Sequence, residues 1–244
     1  MKIGIIGAGN IGALLARKFA AAGHSVKLSN SRGPDSLADA VQGTNVLAVS
    51  NEDAPKDVDV LILSVPFARN PDIAALVANA PSHAVLIDTS NYYPARDGNI
   101  AEVDAGKPET VWVGEQVGHP LVKAWNAVLS QTLAEAGVSS GVADRIAVPI
   151  AGDDAAAKKL VAELVDISGF DTVDAGTLAD SWRFQPGTPA YCTELNTDEL
   201  VLALADASKD RAPKNRDAIM QAIASGKVEF TRHGMASNNR AMSA

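Results

Sequence analysis

Along this chain, apolar residues gather in short unbroken runs, and between the runs they return every three or four positions. Ile3 to Ile6 is the first run, β-branched and suited to a strand buried on both faces. An Ala- and Leu-rich helix follows from about Ala13 to Ala22, and His24 to Leu28 reads as a second strand. Val58 to Val65 is a third, stopped by Pro66, with a short helix from Asp72 to Ala80 behind it. Ala84 to Asp88 makes a fourth. After a less regular stretch through Val111-Trp112-Val113, Leu121 to Trp125 makes a fifth. Arg145 to Ile150 is a sixth, and a helix from about Asp154 to Ser168, closed by Gly169, leads into a last strand at Phe170 to Asp174. This alternation predicts an α/β fold, a doubly wound parallel sheet with helices on both faces.

The pattern changes near Leu178, so the chain divides into an expected sheet domain over residues 1–177 and a small loop and helical extension over 178–244. Ser181 to Cys192 (SWRFQPGTPAYC) carries Pro186, Gly187 and Pro189 and reads as a loop. Asn196 with Glu199 three residues on fits a capping box before a helix through Ala207. A second helix is expected from Pro213 to Ser225, ended by Gly226, and the polar tail after Arg232 reads as a disordered end. The extension is too small for the large all-helical domain that β-hydroxyacid dehydrogenases carry.

Where the first run meets the first helix stands Gly7-Ala8-Gly9-Asn10-Ile11-Gly12, the G-x-G-x-x-G spacing of a Rossmann dinucleotide site. Gly7 permits the tight turn, Gly9 lets the backbone approach a pyrophosphate, and Gly12 lets helix and strand pack closely. The helix N-terminus offers free N–H groups and a positive dipole end to the phosphates. The second strand selects the dinucleotide. An NAD site needs a carboxylate at its end for the ribose 2′-hydroxyl. Here Ser29-Asn30-Ser31-Arg32-Gly33-Pro34 occupies that place, with Arg32 twenty residues past Gly12 and Asp35 beyond Pro34 in the following turn. Hydroxyls, an amide and a planar guanidinium suit a 2′-phosphate, so NADP(H) is the expected cofactor.

Composition narrows the partners. The 244 residues, 47% hydrophobic and 20% charged, allow one good core with a small appendage. A net charge of −8 opposes nucleic-acid binding, because most of the surface would repel phosphates. Cys192 is the only cysteine, which leaves no intrachain disulfide and suits a reducing, cytoplasmic setting. No segment approaches the roughly 18 uninterrupted apolar residues of a membrane span, so no membrane partner is expected. No H-x-x-x-H pair, cysteine cluster or paired-carboxylate motif suggests a metal. A homodimer through the Trp182 to Tyr191 segment and the terminal helices is compatible with the chain.

Ligands of an open doubly wound sheet bind outside the carboxyl ends of its strands. Those ends carry Ser64-Val65-Pro66-Phe67, Thr89-Ser90-Asn91-Tyr92-Tyr93-Pro94 and Trp125-Asn126-Ala127-Val128. Only 5% of the chain is aromatic, yet Phe67, Tyr92, Tyr93 and Trp125 all fall there, as walls for a flat ring would. His119 in Gly118-His119-Pro120 is a turn histidine that could also face the cleft as a proton donor. No Tyr-x-x-x-Lys pair or nucleophile elbow is present. An alcohol dehydrogenase needs a general acid or base at the carbonyl oxygen, whereas hydride exchange between nicotinamide and a flavin-like ring needs mainly positioning and desolvation. The chain leans toward the second.

As an ordered set, Ile5 to Gly12, Ser29 to Arg32, Ser64 to Pro66, Val122 to Asn126, Ala151 to Asp154 and Gly169 to Gly176 resemble the NADP oxidoreductase, coenzyme F420-dependent family. Asp88-Thr89-Ser90-Asn91 and the Lys-Ala-Trp-Asn run also resemble the cytosolic oxidoreductase domain of STEAP ferric reductases. The resemblance implies NADP bound in an extended pose, with hydride passing between its nicotinamide and a deazaflavin (F420) or a flavin such as FMN or FAD, a small-molecule redox acceptor. It places Gly7, Gly9, Asn10 and Ile11 on the pyrophosphate, with Gly12 beside them. It puts Ser31 and Arg32, flanked by Ser29 and Asn30, on the 2′-phosphate, and Ser64, Val65 and Pro66 along the ribose and nicotinamide. Asn91 joins this cofactor-binding set. Ala124, Trp125 and Asn126 would face the reacting rings, Trp125 and Asn126 as positioning residues for catalysis. The Tyr92 to Gly98 loop and the Gln185 to Pro189 segment depart from the deazaflavin reductases and could build a different acceptor pocket. An NADPH-dependent flavin or ferric reductase and a non-catalytic NADP sensor therefore stay open beside the leading reading.

Overall fold

The apolar runs become β1 (Lys2–Ile6), β2 (Ser25–Ser29), β3 (Leu47–Ala48), β4 (Val60–Leu63), β5 (Val85–Asp88), β6 (Val122–Lys123), β7 (Ala147–Gly152) and β8 (Asp171–Asp174) in the computed structural model, which describes residues 1–243. They form one sheet in the order β3-β2-β1-β4-β5-β6-β7-β8, the doubly wound arrangement with its reversal between β1 and β4. All pairs are parallel except β6 with β7, where Val122 lies opposite Gly152 and Lys123 opposite Ala151. The expected doubly wound parallel sheet is borne out with this one antiparallel pair as its exception, and the sixth expected strand shifts from Arg145–Ile150 to Ala147–Gly152. An apolar run states that a strand is buried but is silent on its direction. The carboxyl ends of β1, β2, β4, β5 and β6 therefore share one edge, and those of β7 and β8 point to the other.

The longer helices are α1 (Asn10–Ala21), α6 (Glu109–Val117) and α8 (Ala155–Ser168). Between α1 and α6 lie the one-turn helices α2 (Ala38–Val41), α3 (Ala74–Val77), α4 (Pro94–Asp97) and α5 (Ala101–Asp104), and α7 (Ser130–Glu135) precedes α8. α9 (Thr197–Ala205), α10 (Ala212–Ala224) and α11 (Arg232–Ser243) end the described chain. Asp154 caps α8 by accepting from Ala156 and Ala157, and left-handed Gly169 closes it, as its position predicts. The Asn196–Glu199 capping box forms at α9. The expected helix over 72–80 is only a 3₁₀ turn and the single turn α3. The irregular stretch around Trp112 is helical, because Glu109, Thr110, Trp112, Val113 and Val117 share one buried face of α6.

Residues from 178 onward close the β7–β8 end of the sheet. Phe184, Tyr191, Leu200 and Leu204 bury against Ala147, Ala151 and Val173. The tail expected to be disordered is α11. Its polar residues make the anchors: Asn239 donates to the Tyr191 and Cys192 carbonyls, and Arg240 to those of Thr193 and Glu194. No helix among the described residues is long and apolar enough to cross a membrane.

Candidate functional site

The three motif glycines play different parts. Gly7 has φ +107°, and a Cβ there would run into the Ser64 carbonyl, while a Cβ on Gly12 would strike the carbonyl of Gly7. Both hold β1, α1 and β4 in close register. A Cβ on Gly9 would meet nothing within 4 Å and would fill open space above the turn. α1 begins at Gly9 with no side-chain cap and no acidic residue in its first turn. Its first N–H groups are therefore available to an anion, and the open space over Gly9 is a cradle for a pyrophosphate. The residues present fit the phosphates of a dinucleotide.

From that turn a cavity of about 680 Å³ runs along the sheet edge past Asn30, Ser31, Arg32, Ser64, Val65 and Pro66. Asn30 organises its far end, donating to Ser36 and accepting from the Arg32 backbone at 2.9 Å. That leaves the exposed Arg32 guanidinium and Ser31 hydroxyl without a protein partner among the described residues. Asp35 sits in the 3₁₀ turn Pro34–Leu37 and does not line this cavity. A free guanidinium beside a free hydroxyl, with the cavity's one carboxylate, Asp72, paired to Arg69, is the donor set a 2′-phosphate needs. Ser29 is different. It is fully buried, its hydroxyl donating to the Ile5 carbonyl, so its expected ligand role is corrected to a strand contact.

A second cavity, of about 790 Å³, opens beyond Asn10 on the other side of the turn. Its polar wall holds Tyr93, Arg96, Tyr191 and Arg216, and its apolar wall comes from α10, α11 and the segment between them, including Ile219 and Met235. The Tyr93 and Tyr191 hydroxyls meet at 2.6 Å. Burial raises both phenols above their ordinary value, so at neutral pH they are protonated donors. Arg216 lies 5.6 Å from the Tyr92 ring and gives its Nε to Asp217. Gly187 places it. A Cβ at that residue would strike Ala212, and its carbonyl accepts from Asn215, so the 185–188 turn clamps the start of α10.

Beneath this wall lies a buried ionic cluster. Lys123 donates to Asp88 at 3.0 Å and to the Ser90 carbonyl, and Asp88 also accepts from Thr110 at 2.7 Å and from Ser90. It fixes the turn from β5 into Asn91–Tyr93. Glu109 stands 3.9 Å from Lys123 with Oε2 unpartnered. Burial pushes its carboxyl up from 4.5 to about 7, opposed by Lys123, the Tyr92 backbone N–H and Arg216 and assisted by Asp88.

Several expected ring-facing residues lie elsewhere. Trp125 is 0% exposed, packs edge-on to Phe19 at 5.9 Å and donates to Ser168 at 3.2 Å. Its left-handed φ of 55° turns the indole down into the core under α1 and α8. Ala124 is also fully buried. Phe67 and Tyr92 are core residues, leaving Tyr93 as the cavity-facing aromatic of that group. Asn126 is buried and pairs with Asn91, donating to its Oδ1 while Asn91 donates back to the Asn126 carbonyl. These two tie the β5 and β6 loops together and do not line the cavities. Ile11 packs partly on the core. His119 turns to the Pro120 carbonyl, away from both cavities. Tyr191, Arg216 and Glu109 were not legible as site residues. Tyr191 is 98 positions from the tyrosine it meets, and no local spacing signals such a pair.

Residues 2–92 match the family described as NADP oxidoreductase, coenzyme F420-dependent. The Escherichia coli (strain K12) protein YjhV is 32% identical over 102 residues, 42% of this chain and 74% of YjhV. A hypothetical protein from Sinorhizobium meliloti superimposes with a TM-score of 0.69 at 34% identity, over 81% of this chain and 96% of that one. A protein from Arthrobacter sp. FB24, described as a candidate F420-dependent NADP reductase, gives 0.58 at 23% identity over 73% and 86% of the two chains. At that identity the last comparison speaks to the fold.

Proposed function

Because the chain belongs to the NADP oxidoreductase, coenzyme F420-dependent family, we propose that it transfers hydride between NADP(H) and a flat flavin or deazaflavin ring seated in the 790 Å³ cavity. The observation that carries this reading is the pairing of two cavities across Asn10 and the Gly9 turn. One is lined by phosphate donors, the other by apolar helix residues and two protonated phenols. NADP(H) supplies the hydride chemistry at its nicotinamide. The chain's own residues bind and orient. Gly9 and the start of α1 receive the pyrophosphate, Ser31 and Arg32 the 2′-phosphate, and Ser64 to Pro66 border the ribose side. One proton of the Tyr93–Tyr191 pair is spent between the two hydroxyls, so the pair offers a single donor to a polar atom of the acceptor, and Ile219 and Met235 exclude water from the ring.

Stopped-flow absorbance of NADPH oxidation, with deazaflavin F420, FMN and FAD offered in separate runs, tests this. Rapid turnover with any of the three supports the reading, and the preferred ring names the acceptor. Tight NADPH binding without turnover on all three would overturn the ring acceptor and favour a cofactor sensor.

A further inference from the structure

Next to the large cavity, and sharing Arg216 with it, lies a smaller one of about 80 Å³ between α6, the Trp182–Pro186 segment and the start of α10. Two buried polar atoms in its lining residues have no partner among the described residues: Glu109 Oε2 and Gln185 Nε2. The Arg216 side chain, only 13% exposed, uses Nε on Asp217 and leaves both terminal amino groups without an acceptor. The surrounding wall is not short of charge: Lys107 is spent on Glu102 and Glu115, and Lys209 lies over the Trp182 ring. Unmade hydrogen bonds of buried groups are costly, so Glu109 and Gln185 call for an occupant, with the Arg216 guanidinium in the same wall. Water could serve, since the volume holds roughly two or three molecules at about 30 Å³ each. Yet the trio has a definite polarity, one acceptor with donors beside it, at the mouth of a ring-sized cavity.

We propose that this small cavity is a recognition subsite for an imide-type edge, an N–H flanked by two carbonyls, with Glu109 accepting from the N–H and Gln185 and Arg216 donating to the carbonyls. The inference rests on the acceptor reading above and specifies which end of the ring enters first. The edge passes Arg216 into the small cavity, and the rest of the ring stays between the phenol pair and the α10–α11 wall.

The test is a pair of ligands that differ by one methyl group. With protein saturated in NADP⁺, fluorescence quenching should give lumiflavin a dissociation constant at least about tenfold lower than that of 3-methyllumiflavin, whose imide N–H is gone. Glu109→Leu should erase that discrimination, Glu109→Gln should retain it through its amide oxygen, and Gln185→Leu should weaken lumiflavin several-fold. Equal affinity for the two flavins overturns the subsite, whatever the variants do. If neither flavin binds, the acceptor reading fails, and the subsite is then read by ligand-observed NMR with succinimide against N-methylsuccinimide. Saturation transfer to succinimide alone upholds the imide subsite; none, or equal transfer to both, overturns it.

Discussion

The two cavities differ in how far apart along the chain their walls lie. The dinucleotide side is built mainly from residues 6–9 and 30–32, with 64–66 brought alongside by the parallel β1–β4 pair. The second cavity takes Asn10, Tyr93, Arg96, Tyr191, Arg216 and Met235 from five separate stretches. Phosphate recognition needs backbone N–H groups and a turn, which one strand–turn–helix unit supplies locally. Ring recognition needs walls on several sides, which only distant segments can close. The difference teaches where this fold is constrained and where it is free to vary: the cofactor half depends on local geometry, and the half proposed for the acceptor on long-range packing.

Removing the support of the acceptor half should have the largest effect. Asp88→Ala strands the fully buried Lys123 charge and should destabilise the fold by about 3–5 kcal/mol, read by urea denaturation; a loss under about 1 kcal/mol would show that the cluster does not hold this half together. Glu109 comes next. Its folded carboxyl titrates near 7, above the ordinary 4.5, so between those values the folded state binds more protons than the unfolded. Stability contributed by the neutral carboxyl is fully present below pH 4.5 and is lost as pH rises through 7, on the order of 3 kcal/mol in all. The difference between wild-type and Glu109→Gln stability curves should fall across that window, and a flat difference would refute the raised carboxyl.

Arg32→Ala tests the cofactor half. It should weaken NADPH by a charge-assisted bond or two, about 1.5–3 kcal/mol each, and leave NADH nearly unchanged in fluorescence titrations. Equal loss for both cofactors would remove the 2′-phosphate from this residue. The smallest effect is expected from Tyr191→Phe, which deletes one hydroxyl of the 2.6 Å pair. It should weaken the ring acceptor by about 1 kcal/mol while NADPH affinity holds, so a parallel loss in both would mean the halves are not separable.

Much of the fold could be read from the chain, and less of the site. β1, β2, β4, β5 and β8 stand within a residue or two of their apolar runs, and the Asp154 and Asn196 caps form where their side chains predict. The antiparallel turn of β6 into β7 and helix α11 escaped. The first escaped because periodicity encodes burial and not direction. The second escaped because a helix held by Asn239 and Arg240 on backbone carbonyls needs no wide apolar stripe. Aromatics at strand ends misled for a related reason. Trp125 and Tyr93 look alike as loop aromatics, and only a left-handed backbone at Trp125 sends one inward while the other faces the cavity.

By itself the sequence determined the phosphate end: three glycines at fixed offsets and an arginine in place of a carboxylate, because backbone conformation and net charge are local properties. The tertiary structure alone decided the end proposed for the acceptor. It brought Tyr93 to Tyr191, set Arg216 between two cavities and buried Glu109 without a partner for Oε2. Such positions follow from how separate segments pack on one sheet edge, and no spacing along the chain records them.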